Sequence, residues 1–328
     1  STTPGLAVID SEPEDGAQPI GYPETYAVTF DHALLVTSVD AGDLLVNGNP
    51  ATAVTVVDGQ TLEFDIASLV TSDGLYTVEI PAGQVTGVSG QTNDAFTATF
   101  DADGTLPHVT SSSIAEDDVL FTGLLTYTAT FNEPLQGDQL DASDVQLYNT
   151  LRDESYTPDS FSYDDGTQSI TVEYSGLPEG AYTLTLLSGP GNFADLRGNL
   201  LDGNNDGTAG DAFEVNFGLD AVTQSFPVPL EPVAPGGALI YDPPATGLFH
   251  APGDDDSFTI DLDAGQTLAV IFNPLDGDIV ADVEVFETAG GTSLGSVTGV
   301  APGEPVVLQP VDIAADGTYR IQVSSTAG

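Results

Sequence analysis

Apolar and polar residues alternate along short stretches of this chain. Tyr26, Val28 and Phe30 are separated by smaller or more polar residues, so one face of an extended segment is apolar. The same alternation recurs in residues 125–131, 182–186, 258–262 and 319–323. Because turns rich in Gly and Asp separate these stretches, the pattern predicts an all-β protein. The only helical turns it predicts lie around residues 40–44 and 141–145.

The first two-thirds of the chain contain an internal repeat. Residues 27–30 match residues 128–131, and residues 94–96 match residues 211–213. The offset grows along the repeat, which places insertions in loops of the second copy. A Pro-spaced segment then precedes a third set of alternating stretches. We therefore predict three tandem β-sandwich modules, with boundaries at 1–103, 104–218, a Pro-rich linker at 219–236, and 237–328.

The charge of the chain is strongly one-sided. It has 51 acidic and 3 basic residues, for a formal net charge of −48. Such a field repels phosphate backbones and anionic membrane surfaces, so we expect no nucleic-acid partner and no membrane insertion. The acidic surface has two interpretations. It is either a solvated adaptation to salt, or some of its carboxylates are specific Ca²⁺ ligands.

Cys, Met, Trp and Lys are missing from the chain, and the first two absences bear on its chemistry and origin. It has no Cys, which excludes disulfides and thiolate metal sites within it. It also has no Met, so we expect that Ser1 follows a removed signal peptide or belongs to a longer precursor. These observations lead us to expect an extracellular or cell-surface protein.

Two parts of the chain resemble known modules. Residues 1–218 resemble two bacterial Ig-like domains of large surface proteins, through the strands at 26–30 and 127–131, the Gly-x-Tyr-Thr strands and the Asp195-x-x-Gly-Asn loop. Residues 237–328 resemble a pre-peptidase C-terminal domain, through residues 254–258, 264–268 and 316–321. The resemblance implies two Ig-like sandwiches and a jelly roll or sandwich. It also implies a non-catalytic spacer, adhesive or assembly role outside the cell.

The loop at 195–211 carries the strongest chemical signal. Ca²⁺ takes six to eight oxygen ligands, and alternating Asp and Asn residues supply them. The segment from Asp202 to Gly207 fits the first half of an EF-hand loop, but Phe213 stands where that loop needs Glu. The candidate Ca²⁺ ligands are Asp195, Asn199, Asp202, Asn204, Asp206 and Asp211. The alternative interpretation is a polar, solvated turn.

A second acidic set lies in the third module. Its two turns could meet at one end of the sandwich and hold a metal ion. The candidate ligands are Asp254, Asp256, Asp276 and Asp278. The alternative is an acidic, solvated rim.

The sequence favours a structural role over catalysis. His32, His108 and His250 fall in three different modules, and no nucleophile-elbow motif accompanies them. We therefore predict a non-enzymatic structural subunit of an extracellular filament, surface layer or cell-surface array. The alternatives are an adhesin or ligand-binding stalk, and the accessory region of a secreted hydrolase. The expected partners are other surface proteins or copies of the chain itself in a homo-oligomer or polymer.

The apolar segment at residues 6–9 is a candidate for strand exchange between such copies. The alternative is that it forms the first strand of its own module.

Overall fold

Three β-sandwiches follow one another along the chain. The computed structural model describes residues 5–121, 123–221, 223–233, 241–250, 253–288 and 291–327. The regular elements of these residues are β-strands and short 3₁₀ helices. The predicted all-β fold is confirmed. Within the described ranges, no helix is long and apolar enough to cross a membrane.

Module 1 packs two four-stranded sheets around one core. Its strands are β1 (Val8–Glu12), β2 (Thr25–Phe30), β3 (Leu45–Val46), β4 (Asn49–Pro50), β5 (Ala53–Val56), β6 (Thr61–Asp65), β7 (Gly74–Ile80) and β8 (Phe96–Ala102). The sheet orders are β1-β2-β6-β5 and β4-β3-β7-β8. Tyr26, Val28 and Phe30 are fully buried, as their alternation predicts. Tyr76 stacks on Phe100, its partner on the neighbouring strand of the same sheet.

Module 2 repeats this arrangement with longer loops. Its strands are β9 (Val109–Ser112), β10 (Asp118–Phe121), β11 (Leu125–Phe131), β12 (Val145–Asn149), β13 (Glu154–Tyr156), β14 (Ser160–Asp164), β15 (Ser169–Tyr174), β16 (Gly180–Leu186) and β17 (Phe213–Asp220). The sheet orders are β14-β15-β11-β9 and β10-β17-β16-β12-β13. The first of these sheets is antiparallel, whereas β10 runs parallel to β17 in the second. The first strand segment, β9, and its continuation, β10, thus belong to different sheets.

Module 3 is built around a five-stranded sheet. Its strands are β18 (Gln224–Ser225), β19 (Glu231–Pro232), β20 (Tyr241–Asp242), β21 (Asp255–Leu262), β22 (Thr267–Phe272), β23 (Val280–Glu287), β24 (Thr292–Thr298), β25 (Val306–Asp312) and β26 (Gly317–Ala327). The main sheet has the order β18-β21-β26-β23-β24, and the pair β22-β25 packs against its core face. A short β19-β20 pair lies near the start of the module.

The predicted helical turns are 3₁₀ helices with reciprocal caps. Asp40 accepts a hydrogen bond from the Gly42 N–H at 2.9 Å, and Asp43 accepts one from the Asp40 N–H at 2.7 Å. The equivalent turn, Ala142–Asp144 in module 2, has the same capping box. The internal repeat therefore extends to the capping chemistry of these turns.

The predicted linker at 219–236 is shared between two sandwiches over much of its length. Leu219 is buried at the end of β17. Gln224 and Ser225 form β18, which pairs in parallel with β21 of module 3. Phe226 packs edge-on against Phe258 at 6.2 Å. The apolar side chains of Leu219 and Phe226 pack into the cores of modules 2 and 3. Residues 228–232 are exposed, and residues 234–236 lie outside the described ranges.

The N-terminal segment belongs to its own module. Leu6 is fully buried and bridges Asn93, while β1 pairs antiparallel with β2. The structure thus places residues 6–9 at the start of module 1, the alternative to strand exchange.

One tyrosine in each module bonds back to the chain ahead of its strand. The hydroxyl groups of Tyr76, Tyr182 and Tyr319 donate to carbonyl oxygens four residues upstream, at 2.8, 2.5 and 2.7 Å. All three side chains are buried. This is the tyrosine corner of Ig-type sandwiches. Module 3 therefore shares a local folding device with the two repeated modules.

Candidate functional site: the acidic junctions between modules

An acidic residue three positions before the corner tyrosine holds the segment that leaves module 1. Asp73 accepts hydrogen bonds from the Gly104 N–H at 2.8 Å and the Thr105 N–H at 3.3 Å. The hydroxyl of Tyr22 donates to the same carboxylate at 2.9 Å. These bonds fix the chain as it passes from β8 towards β9.

Glu179 holds the segment that leaves module 2 in the same way. Its carboxylate accepts hydrogen bonds from the Ala221 N–H at 3.3 Å, from Gln224 Nε2 at 2.6 Å and from the Leu248 N–H. Asp316 stands at the equivalent position of module 3 and accepts the Ala264 N–H at 2.8 Å, within its own module. The sequence analysis missed this feature. The pattern of an acid, Gly, any residue and Tyr at 73–76, 179–182 and 316–319 carries the signal.

A single arginine bridges modules 1 and 2. Arg197 Nη2 lies 2.5 Å from Asp101 Oδ2, and its Nε lies 3.9 Å from Asp103 Oδ2. Asn199 Nδ2 also donates to the Asp103 carbonyl at 3.1 Å. The Arg197 side chain is 19% exposed, so the pair is only partly open to solvent. Module 2 is therefore tied to the end of β8 by charge and by a hydrogen bond.

Asp195 organises the loop that presents this arginine. Its Oδ1 accepts the N–H groups of Arg197, Gly198 and Asn199 at 2.8, 2.7 and 2.9 Å. Asn199 Nδ2 donates to the other oxygen at 2.7 Å. Gly198 has φ +100°, a conformation that a side chain would strain. The Asp-x-x-Gly-Asn pattern thus encodes a rigid turn at the junction.

Three carboxylates meet beside this turn. Ligand oxygens of Asp103, Glu133 and Asp195 lie within 4.8 Å of one another. Burial, followed by the charges of Asp195 and Asp103, raises the pKa of Glu133 to about 7. Burial and the Asp195 charge also raise the pKa of Asp103. Acids from both modules therefore resist full ionisation at this junction.

The raised pKa of Glu133 predicts a pH-dependent junction. Between pH 4.5 and about 7, the folded chain keeps a proton on Glu133 that the unfolded chain has released. Stability should therefore fall as the pH rises through this interval, and Glu133→Gln should flatten that part of the profile. Thermal unfolding of the wild-type and Glu133→Gln proteins from pH 4 to 8, with a chelator present, measures the two stability profiles. Parallel profiles for the two proteins would contradict the prediction.

The remaining predicted ligands form a separate turn. Asp202 is buried and accepts the N–H groups of Asp206 and Gly207 at 3.0 and 2.8 Å. Asn204 Oδ1 accepts the Asp206 N–H at 2.9 Å, and Asp211 Oδ2 accepts the Asn204 N–H at 3.3 Å. The structure thus divides the six candidates between this turn and the junction turn of Asp195 and Asn199. Calcium binding in either turn stays a prediction.

The turn's own hydrogen bonds determine how calcium must be tested there. Asp202→Ala removes the acceptor of the Gly207 N–H and one of the two acceptors of the Asp206 N–H, so it weakens the turn with or without calcium. Asp206→Asn instead keeps an acceptor oxygen and removes only charge. If Ca²⁺ binds, Asp206→Asn should weaken the calcium-dependent rise in melting temperature at constant ionic strength. A wild-type protein with no such rise would leave the solvated-turn interpretation.

The weaker acidic set is divided in the same way. Asp276 and Asp278 lie in an exposed turn, where Asp276 Oδ1 accepts the Asp278 N–H at 3.1 Å. Asp254 and Asp256 instead lie beside Asp220 at the start of module 3. Among the described residues, the acidic groups that contain Asp254 or Asp256 include neither Asp276 nor Asp278.

The three histidines lie in different surroundings. His32 Nδ1 is 2.9 Å from Asp31 Oδ1, on a half-exposed side chain. His108 Nδ1 lies 3.2 Å from the Leu106 carbonyl. His250 Nδ1 lies 2.9 Å from Asp254 Oδ2 and 3.5 Å from Asp220 Oδ2. His250 thus lies beside the junction between modules 2 and 3.

Comparison with known proteins identifies one module by family. Residues 2–102 match the family model of a bacterial Ig-like domain. No curated protein matches the chain.

Several solved structures are similar to this chain at low identity. CopC from Methylosinus trichosporium OB3b is 13% identical, over 30% of this chain and 94% of that one, with a TM-score of 0.24. The titin I-band fragment I67–I69 is 9% identical, over 98% and 86%, with a TM-score of 0.37. The S-layer protein rSbsC(31–844) is 14% identical, over 99% and 51%, with a TM-score of 0.25.

Proposed function

We propose that this chain is a non-catalytic structural subunit of an extracellular filament, surface layer or cell-surface array. In this role, the three sandwiches set a distance, and the junctions between them limit bending. The Ig-like match of residues 2–102 is compatible with such a surface module.

The observation that carries the proposal is the bracing of both junctions by side chains. Asp73 and Glu179 hold the segments that leave modules 1 and 2. Arg197 adds a bond between module 2 and Asp101 of module 1. Inter-domain motion is the usual expectation for tandem domains joined by small interfaces. Specific bonds at successive junctions favour a scaffold whose modules keep their spacing.

The charge of the chain sets a condition for assembly. Copies that each carry a net charge of −48 repel one another at low salt. At physiological ionic strength, the repulsion between exposed charges falls off over about 8 Å, and cations bound at a contact neutralise its acids further. We therefore propose that self-association increases with salt or divalent cations.

Electron microscopy and light scattering of the purified chain test the proposal. We expect regular polymers or arrays to appear as NaCl or CaCl₂ is raised at neutral pH. Dispersed rods under every condition would contradict the subunit role and favour the adhesin stalk.

A further inference from the structure

Three buried carboxylates from two modules meet at the second junction. Glu179 and Asp220 belong to module 2 and Asp256 to module 3, and they are 1%, 4% and 3% exposed. Ligand oxygens of the three lie within 4.8 Å of one another. Acidic residues at this depth are normally paired with a cation or a full set of hydrogen-bond donors.

The donors at this junction do not satisfy the cluster. The Ala221 and Leu248 N–H groups and the Gln224 side chain all bond to Glu179. Asp220 Oδ1 and Asp256 Oδ1 are buried and have no hydrogen-bond partner among the described residues. Two lone carboxylate oxygens are therefore left within a like-charged cluster, which is an arrangement that a positive ion would relieve.

The backbone leaves room for these carboxylates. A Cβ at Gly247 would collide with Asp256 Oδ2 and lie 3.0 Å from Glu179 Oε1. Any side chain at that position would displace the acids. The loop of module 3 thus closes over the cluster with a residue that adds no bulk.

Electrostatics favour neutralisation of the cluster. Burial is the main cause that raises the pKa of Glu179, Asp220 and Asp256, and the charges of neighbouring acids raise each further. In the absence of a cation, the cluster must retain protons or bear buried repulsion. A divalent ion removes both costs.

The ligand set indicates which ion fits. The three buried groups are all carboxylates, the hard oxygen ligands that Ca²⁺ prefers. Ca²⁺ binds its oxygen ligands at about 2.3–2.6 Å, so one ion can contact carboxylate oxygens that lie within 4.8 Å of one another. His250 Nδ1 lies 2.9 Å from Asp254 Oδ2 and 3.5 Å from Asp220 Oδ2, so it borders the cluster on the Asp220 side.

We propose that Glu179, Asp220 and Asp256 form a Ca²⁺ site shared by modules 2 and 3. The ion is held by acids of both modules, so its binding stiffens the junction and its removal loosens it. The site stands on these residues alone and does not require that the chain polymerise.

Hydrogen exchange of the full chain reports calcium binding at the level of single peptides, and so at the junction itself. Wild-type protein is compared in chelator and in CaCl₂ at constant ionic strength and neutral pH. At about 100 times Kd, amides that exchange only when the junction opens should slow roughly hundredfold. We expect this protection in peptides that contain Ala221 and Leu248, whose N–H groups bond to Glu179.

Variants that each remove one charge distinguish an ion bound at this site from general screening by added salt. Asp256→Asn, and independently Asp220→Asn, should abolish the calcium-dependent protection; each keeps the shape of the side chain. Asp278→Asn removes the same charge from the exposed turn of module 3 and should leave the protection intact. Calcium-independent exchange in wild-type protein would overturn the proposal. Equal protection by MgCl₂, or a wild-type response in both junction variants, would do so too.

Discussion

Replacing Arg197 with Gln is expected to uncouple modules 1 and 2. The substitution removes the cation that faces Asp101 and Asp103, beside the buried carboxylate of Asp195. Exposed ion pairs contribute up to about 1 kcal/mol, whereas breaking a buried pair costs about 3–5 kcal/mol. Since Arg197 is 19% and Asp101 37% exposed, we expect a cost between these limits.

Calorimetry and small-angle scattering of the full chain measure this effect. The unfolding of module 1 should separate from that of module 2, and the scattering profile should report a wider range of shapes. Arg197→Lys should retain part of the coupling because it keeps the charge but loses the forked geometry. Arg152→Gln is the matched control, since Arg152 lies in the turn between β12 and β13. Unchanged unfolding and scattering in Arg197→Gln would refute this role of the arginine.

Tyr182→Phe is expected to lower the stability of module 2 by about 1–3 kcal/mol, because it leaves the Pro178 carbonyl without its donor. The ring contacts with Phe217 and Tyr156, at centroid distances of 5.7 and 5.9 Å, are kept by phenylalanine. The change therefore isolates the interactions of the hydroxyl group from those of the ring. For a module of about 100 residues, it should lower the melting temperature by roughly 4 °C or more.

The other tyrosines supply controls for this experiment. Tyr148→Phe also removes a hydroxyl bond, to Asp153 at 2.5 Å, but its side chain is 37% exposed. Its effect should stay within about 0.5 kcal/mol. Tyr76→Phe should lower the unfolding temperature of module 1, and Tyr319→Phe that of module 3. Each calorimetric transition can then be assigned to a module. A Tyr182→Phe protein as stable as the Tyr148→Phe control would show that the corner adds no stability.

Local patterns predicted the strands because alternation depends on nearest neighbours. Val28, Tyr127 and Leu184 were expected to point inward, and all three are fully buried. The start of the third module was harder to predict. Gln224 and Ser225 form a strand only through parallel pairing with Phe258 and Thr259, more than thirty positions away. No local pattern encodes that contact.

The junction acids show the same limit. Asp195 and Asp256 were predicted as ligand candidates because they stand in acidic segments. Glu133, Glu179 and Asp220 were missed, since each gains its meaning only when two modules meet. Among 51 acidic residues, composition alone cannot single them out.

The parallel pair in module 2 determines how that module responds to force. β10 is the second segment of its first strand and β17 is its last strand, and they are in register from Asp118–Phe217 to Phe121–Asp220. Tension applied through the two neighbouring modules pulls these strands in opposite directions along their length. All the hydrogen bonds of the pair are then loaded in shear together, whereas a hairpin pulled from its open end would break one bond at a time. We therefore expect this pair to resist tension along the chain better than a hairpin with the same number of hydrogen bonds.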